Sequence, residues 1–200
     1  MSEWAREFET LYAGSEDPWG FRDRWYERRK REIVCASLPR MEFESLWEIG
    51  CANGELTAML ASRTRRLLAI DGNARALTAA RARVEEFPHV ELREMWVPSS
   101  WPRSEQFDAI VFSEVGYYLT PSELDDFCGL IRTTLRPGGI FVACHWRAQI
   151  AGCTCVGEQV HDVLKRHFPW ALVVRHLEED FVLEIWDTAE GSVASREGLR

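Results

Sequence analysis

Four ionisable side chains stand where short apolar runs end: Glu48 inside Leu46-Trp-Glu-Ile-Gly-Cys-Ala-Asn-Gly54, Asp71 after Leu67-Leu-Ala-Ile70, Glu114 after Ala109-Ile-Val-Phe112 and His145 after Ile140-Phe-Val-Ala143. The first run passes through a glycine-bearing turn into a helical pattern, and ligands of parallel sheets bind at that carboxyl edge. A pyrophosphate would want glycine where Ala52 stands, and Glu48 adds negative charge nearby, so pyrophosphate is disfavoured. A cationic amine fits better: Glu48 can pair with it, while Gly50 and Gly54 permit close backbone approach. Asp71, 21 residues beyond Gly50, is placed to accept hydrogen bonds from both hydroxyls of a ribose. Asn73 is a candidate cap for the helix that follows.

A ligand with an amine and a ribose but no phosphate describes S-adenosylmethionine. The pattern E-x-G-C-x-x-G with an acid at the second strand's end resembles the class I methyltransferase signature. Phe107-Asp-Ala-Ile-Val111 and Leu135-Arg-Pro-Gly-Gly139 follow at the appropriate distances. Asp17-Pro-Trp-Gly-Phe21 with Trp25-Tyr-Glu-Arg-Arg-Lys30 resembles, more narrowly, the N-terminal segment of the nodulation protein S (NodS-like) methyltransferases. Ser113-Glu-Val-Gly-Tyr-Tyr-Leu119, His145-Trp146 and Val160-His-Asp162 resemble the same group, so the likeness runs from about residue 5 to 186. It implies a Rossmann-like α/β fold of seven strands, the last antiparallel, and N-methylation of the free amine of a deacetylated chitooligosaccharide or a related aminated compound. The stretch around Cys153-Thr-Cys155 departs from the tyrosine-containing substrate loop expected there, which leaves the acceptor less defined than the reaction.

Methyl transfer needs a neutral nucleophile in line with the methyl group, so positioning and desolvation can carry much of the rate. The acceptor amine becomes cationic as it is methylated. Glu114 is then the candidate to stabilise that charge, Tyr117 and Tyr118 to add hydrogen bonds or a cation–π face, and His145 to take the released proton. All but Glu114, whose carboxylate at the end of an apolar strand needs a partner, have a plainer alternative: His145 as a hydrogen-bonded structural residue, Tyr117 and Tyr118 as loop packing, and His161 with Asp162 as a solvated helix face rather than substrate contacts. Trp146 and His161 are the substrate-side candidates. Cofactor candidates are Trp19, Tyr26, Arg29, Glu48, Gly50, Cys51, Gly54, Asp71, Trp96 and Ser113. Tyr26 and Arg29 lie one helical turn apart and are expected to face the methionine carboxylate. Trp96, in Met95-Trp-Val-Pro98, flanks the adenine or packs beneath the sheet.

The elements that must position these groups follow from pattern. Residues 2–12 and 21–37 read as helices separated by the turn-rich Gly14-Ser-Glu-Asp-Pro-Trp-Gly20. Runs rich in β-branched and aromatic residues then alternate with helical patterns at 54–63, 73–86, 121–134 and 156–168, the rhythm of a parallel sheet covered on both faces. Ala171–Leu177 and Phe181–Trp186 are joined by Glu178-Glu-Asp180 alone, too short for a crossover, so they should form an antiparallel hairpin. One domain over 1–187 is expected, with residues 1–40 as a helical lid and 188–200 as a disordered tail.

The 200 residues are 46% hydrophobic and carry 24 basic against 32 acidic side chains, net −8. That balance disfavours nucleic acid and anionic membranes as partners. A local exception is the run 22–31, with six basic residues against Asp23 and Glu27 and Glu27–Arg31 at the spacing of a helical ion pair. No apolar stretch approaches a membrane span, and the six cysteines, mostly single within apolar patterns, read as reduced thiols of a cytoplasmic protein. A metal site at C-x-C is not expected. The nine tryptophans divide into core candidates (Trp47, Trp186) and crevice candidates (Trp19, Trp96, Trp146). The expectation is a methyltransferase using S-adenosylmethionine on a small-molecule or oligosaccharide acceptor, with O- or S-methylation, a non-catalytic S-adenosylmethionine-binding protein and a dehydrogenase as alternatives.

Overall fold

Two apolar strands open the sheet, each alternating its side chains between two covered faces. In β1 (Leu46–Ile49), Leu46 points toward the helices α2 (Trp25–Ser37) and α3 (Glu55–Ala61), while Trp47 and Ile49 point to the opposite face. β2 (Leu67–Asp71) and β3 (Val90–Glu94) follow, with α4 (Ala74–Arg83) between them. β4 (Phe107–Ser113), α5 (Pro121–Thr134), β5 (Leu135–Trp146) and α6 (Gly157–His167) come next, and β6 (Ala171–Leu177) with β7 (Phe181–Asp187) closes the sheet. The computed structural model describes residues 3–200, and its opening helix α1 spans Glu3–Gly14; Ser2, the first residue of the expected helix, lies outside the described residues.

The strand order is β3-β2-β1-β4-β5-β7-β6. β1 to β5 pair in parallel, and β7 runs antiparallel to both β5 and β6. This is the seven-stranded α/β arrangement expected from the pattern, with the terminal hairpin in place. Two apolar layers enclose the sheet: Trp47, Phe112, Phe141 and Trp186 against α5 and α6, and Leu46, Val111, Val142 and Ile185 against α2 and α3. Each fully buried side chain of this size contributes roughly 1.5–3 kcal/mol. Among the described residues no helix is long and apolar enough to cross a membrane.

Several boundaries differ from the pattern: α2 begins at Trp25 rather than at 21, α3 ends at Ala61 rather than 63, α4 ends at Arg83 rather than 86, and two further differences have an evident cause. Leu135-Arg-Pro-Gly-Gly139, read as a turn before a strand, belongs to β5: Leu135 already pairs with Phe107, and an irregular register before Ala109 and Ile140 absorbs the extra residues, with Gly138 left-handed at φ +77°. Residues 188–200, expected to be disordered, carry a short helix, α7 (Val193–Arg196). Its anchor is Asp187, buried at the end of β7, which accepts from Arg196 Nη1 at 2.9 Å, while Thr188 donates to Gly139 O.

Candidate active site

The carboxyl ends of β1, β2, β4 and β5 converge, and period-two alternation decides which side chains share a space. Glu48 shares the α2–α3 face with Leu46 and is almost wholly buried. Burial pushes its carboxyl up to about 7, opposed by Thr57 and assisted by Asp71. Gly50 and Gly54 both adopt left-handed φ, +81° and +83°. Their missing side chains serve packing within the chain: a Cβ on Gly50 would lie 2.3 Å from Val115 Cγ2, and one on Gly54 2.9 Å from the Ala80 Cα on α4. Ala52, where a glycine would be at ease, is also left-handed at φ +48°. Cys51 is buried in the turn, and its N–H donates to Ile70 O.

Asp71 closes β2 and organises the turn. Its Oδ2 accepts the Ala52 N–H and its Oδ1 the Asn73 N–H, both at 2.9 Å, leaving each oxygen a further lone pair. Burial pushes it up to about 6 against these backbone donors. Asn73 caps α4 as expected, accepting from the Arg75 and Ala76 N–H groups. Trp96 lies on Gly72, where a Cβ would fall 2.3 Å from Trp96 Cε2.

α1 runs across this edge. Glu9 accepts from Arg75 at 3.0 Å and from Asn73 at 3.2 Å. Phe8 stacks with Trp96 (6.2 Å, 20°) and meets Trp19 and Tyr118 edge-on; Trp4 meets Tyr118, and Tyr12 meets Trp19. Trp4, Phe8 and Tyr12 are absent from the sequence-based candidates, although their i, i+4, i+8 spacing is the signal of one helical face.

On α2 the helical phase places Lys30 and Arg31, one turn before Val34 and Cys35, on the buried side. Arg29 is off that face. It makes a bidentate pair with Glu178 in the β6–β7 turn, Nη1 and Nη2 each 2.7 Å from a carboxylate oxygen, instead of facing a cofactor carboxylate. The expected Glu27–Arg31 pair is replaced by Glu27 with Lys30, 3.1 Å apart. Arg31 is only 8% exposed, and its Nε and Nη1 meet no hydrogen-bond acceptor among the described residues. Tyr26 Oη, Glu48 Oε2, Asn53 Nδ2 and Thr57 Oγ1 are likewise buried without a hydrogen bond of normal geometry among the described residues. These unmatched donors and acceptors sit on α2, on β1, in the glycine turn and in the first turn of α3.

Glu114, left-handed at φ +59° after β4, has a carboxylate bound from three sides. Oε1 accepts from Lys30 Nζ at 2.9 Å; Oε2 accepts from the Tyr117 hydroxyl and from the Trp146 N–H at 3.1 Å. Lys30 also stands over the Tyr26 ring, 5.0 Å from its centre, and Tyr26 meets Trp146 edge-on. Ser113 turns its carbonyl toward Gly50.

Two sequence expectations are corrected here. His145 shares the face of Phe141 and Ala143, so it points toward α6 rather than into the space that holds Glu48 and Glu114. Wholly buried, its pKa is driven well below the ordinary value by desolvation, then by His161 and Lys30; its Nε2 accepts the Gly116 N–H and its Nδ1 meets His161. Neither nitrogen is left to take a proton from an acceptor. His161 is not on a solvated face or in contact with the crevice: Val160, Leu164 and Phe168 set the apolar phase of α6, and His161 follows it inward, 1% exposed.

The family model described as nodulation protein S matches residues 9–164. Nodulation protein S of Rhizobium tropici is 32% identical over 133 residues, 64% of this chain and 54% of that protein. The chain spans about half the length of the curated relatives it matches. Among solved structures, N-methyltransferase NodS from Bradyrhizobium japonicum WM9 in complex with S-adenosyl-L-homocysteine is 27% identical, with a TM-score of 0.84 over 94% of this chain and 100% of that one. A candidate methyltransferase from Pseudomonas syringae is 38% identical, with a TM-score of 0.72 over 82% of this chain and 99% of that one.

Proposed function

The chain belongs to the nodulation protein S (NodS) family, and on that premise we propose that it is an S-adenosylmethionine-dependent methyltransferase acting on the free amine of an aminated sugar, such as a deacetylated chitooligosaccharide. The observation that carries the reading is the carboxylate pair of buried Glu48 and half-buried Asp71 flanking the left-handed turn Gly50–Gly54. A buried carboxylate without a full set of donors is costly unless a ligand supplies them. Glu48 would take the ammonium of the methionine moiety, and Asp71 would take the ribose hydroxyls on its remaining lone pairs. Arg31, with two unmatched nitrogens, suits the carboxylate better than Arg29, with Tyr26 beside it on α2. Trp96 on Gly72 would flank the adenine, and α1 with Trp19 would cover the cofactor as a lid. Cys51 and Ser113 would contribute backbone to the same wall.

When bound, S-adenosylmethionine would supply an electrophilic methyl group. The chain's own part is to bind and orient. Glu27, Lys30 and Glu114 together carry one net negative charge, which favours a cationic or developing cationic amine over a hydroxyl or thiol. Tyr117 and the Trp146 N–H aim the Glu114 carboxylate, while Tyr118 and the Trp146 ring supply aromatic walls for an acceptor. With both His145 nitrogens engaged, the amine's proton leaves to solvent, and rate comes from holding a neutral amine in line within an aromatic enclosure.

A mass-shift assay with isotopically labelled methyl donor, across amino sugars, deacetylated chitooligosaccharides, alcohols and thiols, tests this. Methyl addition on nitrogen is the expected result. Turnover of hydroxyl or thiol acceptors alone would overturn the choice of nucleophile. Donor binding without transfer to any of them would overturn the catalytic reading.

A further inference from the structure

A chain of buried polar groups leaves the back of the acceptor loop and ends on β7. The Gly116 N–H donates to His145 Nε2 at 3.0 Å, His145 Nδ1 lies 3.1 Å from His161 Nε2, and His161 Nδ1 lies 2.8 Å from Glu184 Oε2. A backbone N–H can only donate, so His145 Nε2 must accept. In the neutral ring the proton then sits on Nδ1 and goes to His161 Nε2, and the His161 Nδ1–H goes to Glu184. One fixed donor therefore sets both tautomers. His145 and Glu184 are wholly inaccessible, and the Glu184 charge is met by Lys165 Nζ at 2.9 Å and Arg175 Nε at 3.2 Å.

The group this chain holds is Gly116, which opens the 3-10 turn Gly116–Tyr118. That turn delivers the Tyr117 hydroxyl to Glu114. A Cβ on Gly116 would lie 2.5 Å from Val160 Cγ1 and 2.8 Å from His145 Nε2, so the turn is pressed against the histidine. Glu114 itself is in a backbone region that a non-glycine residue keeps only when its surroundings over-determine it. We infer that His145, His161 and Glu184 form a positioning relay that fixes the acceptor loop from beneath and sets the direction of the Glu114 carboxylate without touching the acceptor. The inference rests on the reading of Glu114 as the acceptor-side carboxylate.

The test separates that relay from general support of the fold. His145→Leu should lower turnover of an amine acceptor ten- to hundredfold, leave the dissociation constant for S-adenosylhomocysteine within twofold, and speed hydrogen exchange at the Gly116 amide at least a hundredfold. His145→Gln, whose amide can accept from Gly116 and donate to His161, should restore Gly116 protection and bring turnover back to within tenfold of the parent protein. Unchanged turnover, loss of cofactor affinity in step with turnover, or undiminished Gly116 protection in His145→Leu would overturn the relay. If that variant does not fold, nitrogen NMR of the parent protein decides: protonated Nδ1 with bare Nε2 on both rings supports the relay, and the opposite tautomer at His145 defeats it. Failure of the parent protein to methylate any amine would count against the methyltransferase reading, and the Gly116 exchange measurement would still judge the relay's hold on the loop.

Discussion

Lys30 Nζ on α2 lies 2.9 Å from Glu114 Oε1 on the loop after β4, and this ion pair joins the N-terminal helical segment to the acceptor side of the sheet edge. Burial alone would lower the lysine's pKa, but Glu114 and Glu27 outweigh it and hold Lys30 above the ordinary value, so it stays charged. Replacing one partner of a buried pair costs about 3–5 kcal/mol, and Glu114, partly exposed and still holding the Tyr117 hydroxyl and the Trp146 N–H, sets the low end of that range. Lys30→Met should therefore lower unfolding free energy by about 3 kcal/mol, read from denaturant melts. A loss below about 1 kcal/mol would mean that the pair is solvated and does not fasten α2 to the loop.

Glu48 makes cofactor binding depend on pH. With its carboxyl up at about 7, mainly from burial, a large share of the unliganded protein carries the proton at pH 6. Pairing with an ammonium requires the carboxylate, so binding should release a proton below pH 7. Affinity for S-adenosylhomocysteine should fall as pH drops, approaching tenfold per unit. The effect on stability has the opposite sign: a carboxyl whose folded pKa is raised holds its proton more tightly when folded. Glu48 thus costs the unliganded fold increasingly as pH climbs from 4.5 to about 7, and fully above that. Calorimetry at pH 6 in buffers of different ionisation enthalpy measures the released proton. A pH-independent affinity that Glu48→Gln leaves unchanged would exclude this role.

Ala52 holds a left-handed backbone, φ +48°, that costs an L-residue roughly 1–2 kcal/mol, while glycine adds about 0.5–1 kcal/mol of chain entropy to the unfolded state. Ala52→Gly should accordingly stabilise the protein by about 0.5 kcal/mol, visible as a higher denaturant midpoint with an unchanged slope. A lower midpoint would show that the methyl group's packing outweighs the strain.

Much of this architecture is legible in local pattern. The glycine turn, Asp71 and the short Glu178-Glu-Asp180 link identify the sheet edge and the antiparallel hairpin from sequence alone. What escapes is direction. Phe141, Ala143 and His145 alternate onto the α6 face, and Val160, His161 and Leu164 follow one apolar stripe, so both histidines turn inward together. Similarly, Val34 and Cys35 fix the phase of α2 and select Lys30 and Arg31 over Arg29. Those phases are present in the sequence. The Gly116 N–H that sets the His145 tautomer, and the Glu178 that occupies Arg29, are brought close only by folding across 29 and 149 residues.

Arg29 and Arg31, two residues apart on different faces of one helix, give opposite expectations. Arg29 is spent on Glu178 in a partly exposed bidentate pair, so Arg29→Ala should leave S-adenosylhomocysteine affinity within twofold and cost less than about 1 kcal/mol of stability. Arg31 is buried with unmatched nitrogens, and burial pulls its pKa down against the pull of Glu55 and Glu27. Arg31→Met removes a desolvated charge, which should leave the unliganded protein as stable or more so. If Arg31 receives the methionine carboxylate, the same substitution should weaken cofactor binding at least tenfold, about 1.4 kcal/mol. Calorimetric titration paired with denaturant melts reads both quantities for both variants. Affinity lost in Arg29→Ala and kept in Arg31→Met would return the carboxylate to Arg29 and require the Glu178 pair to open on binding.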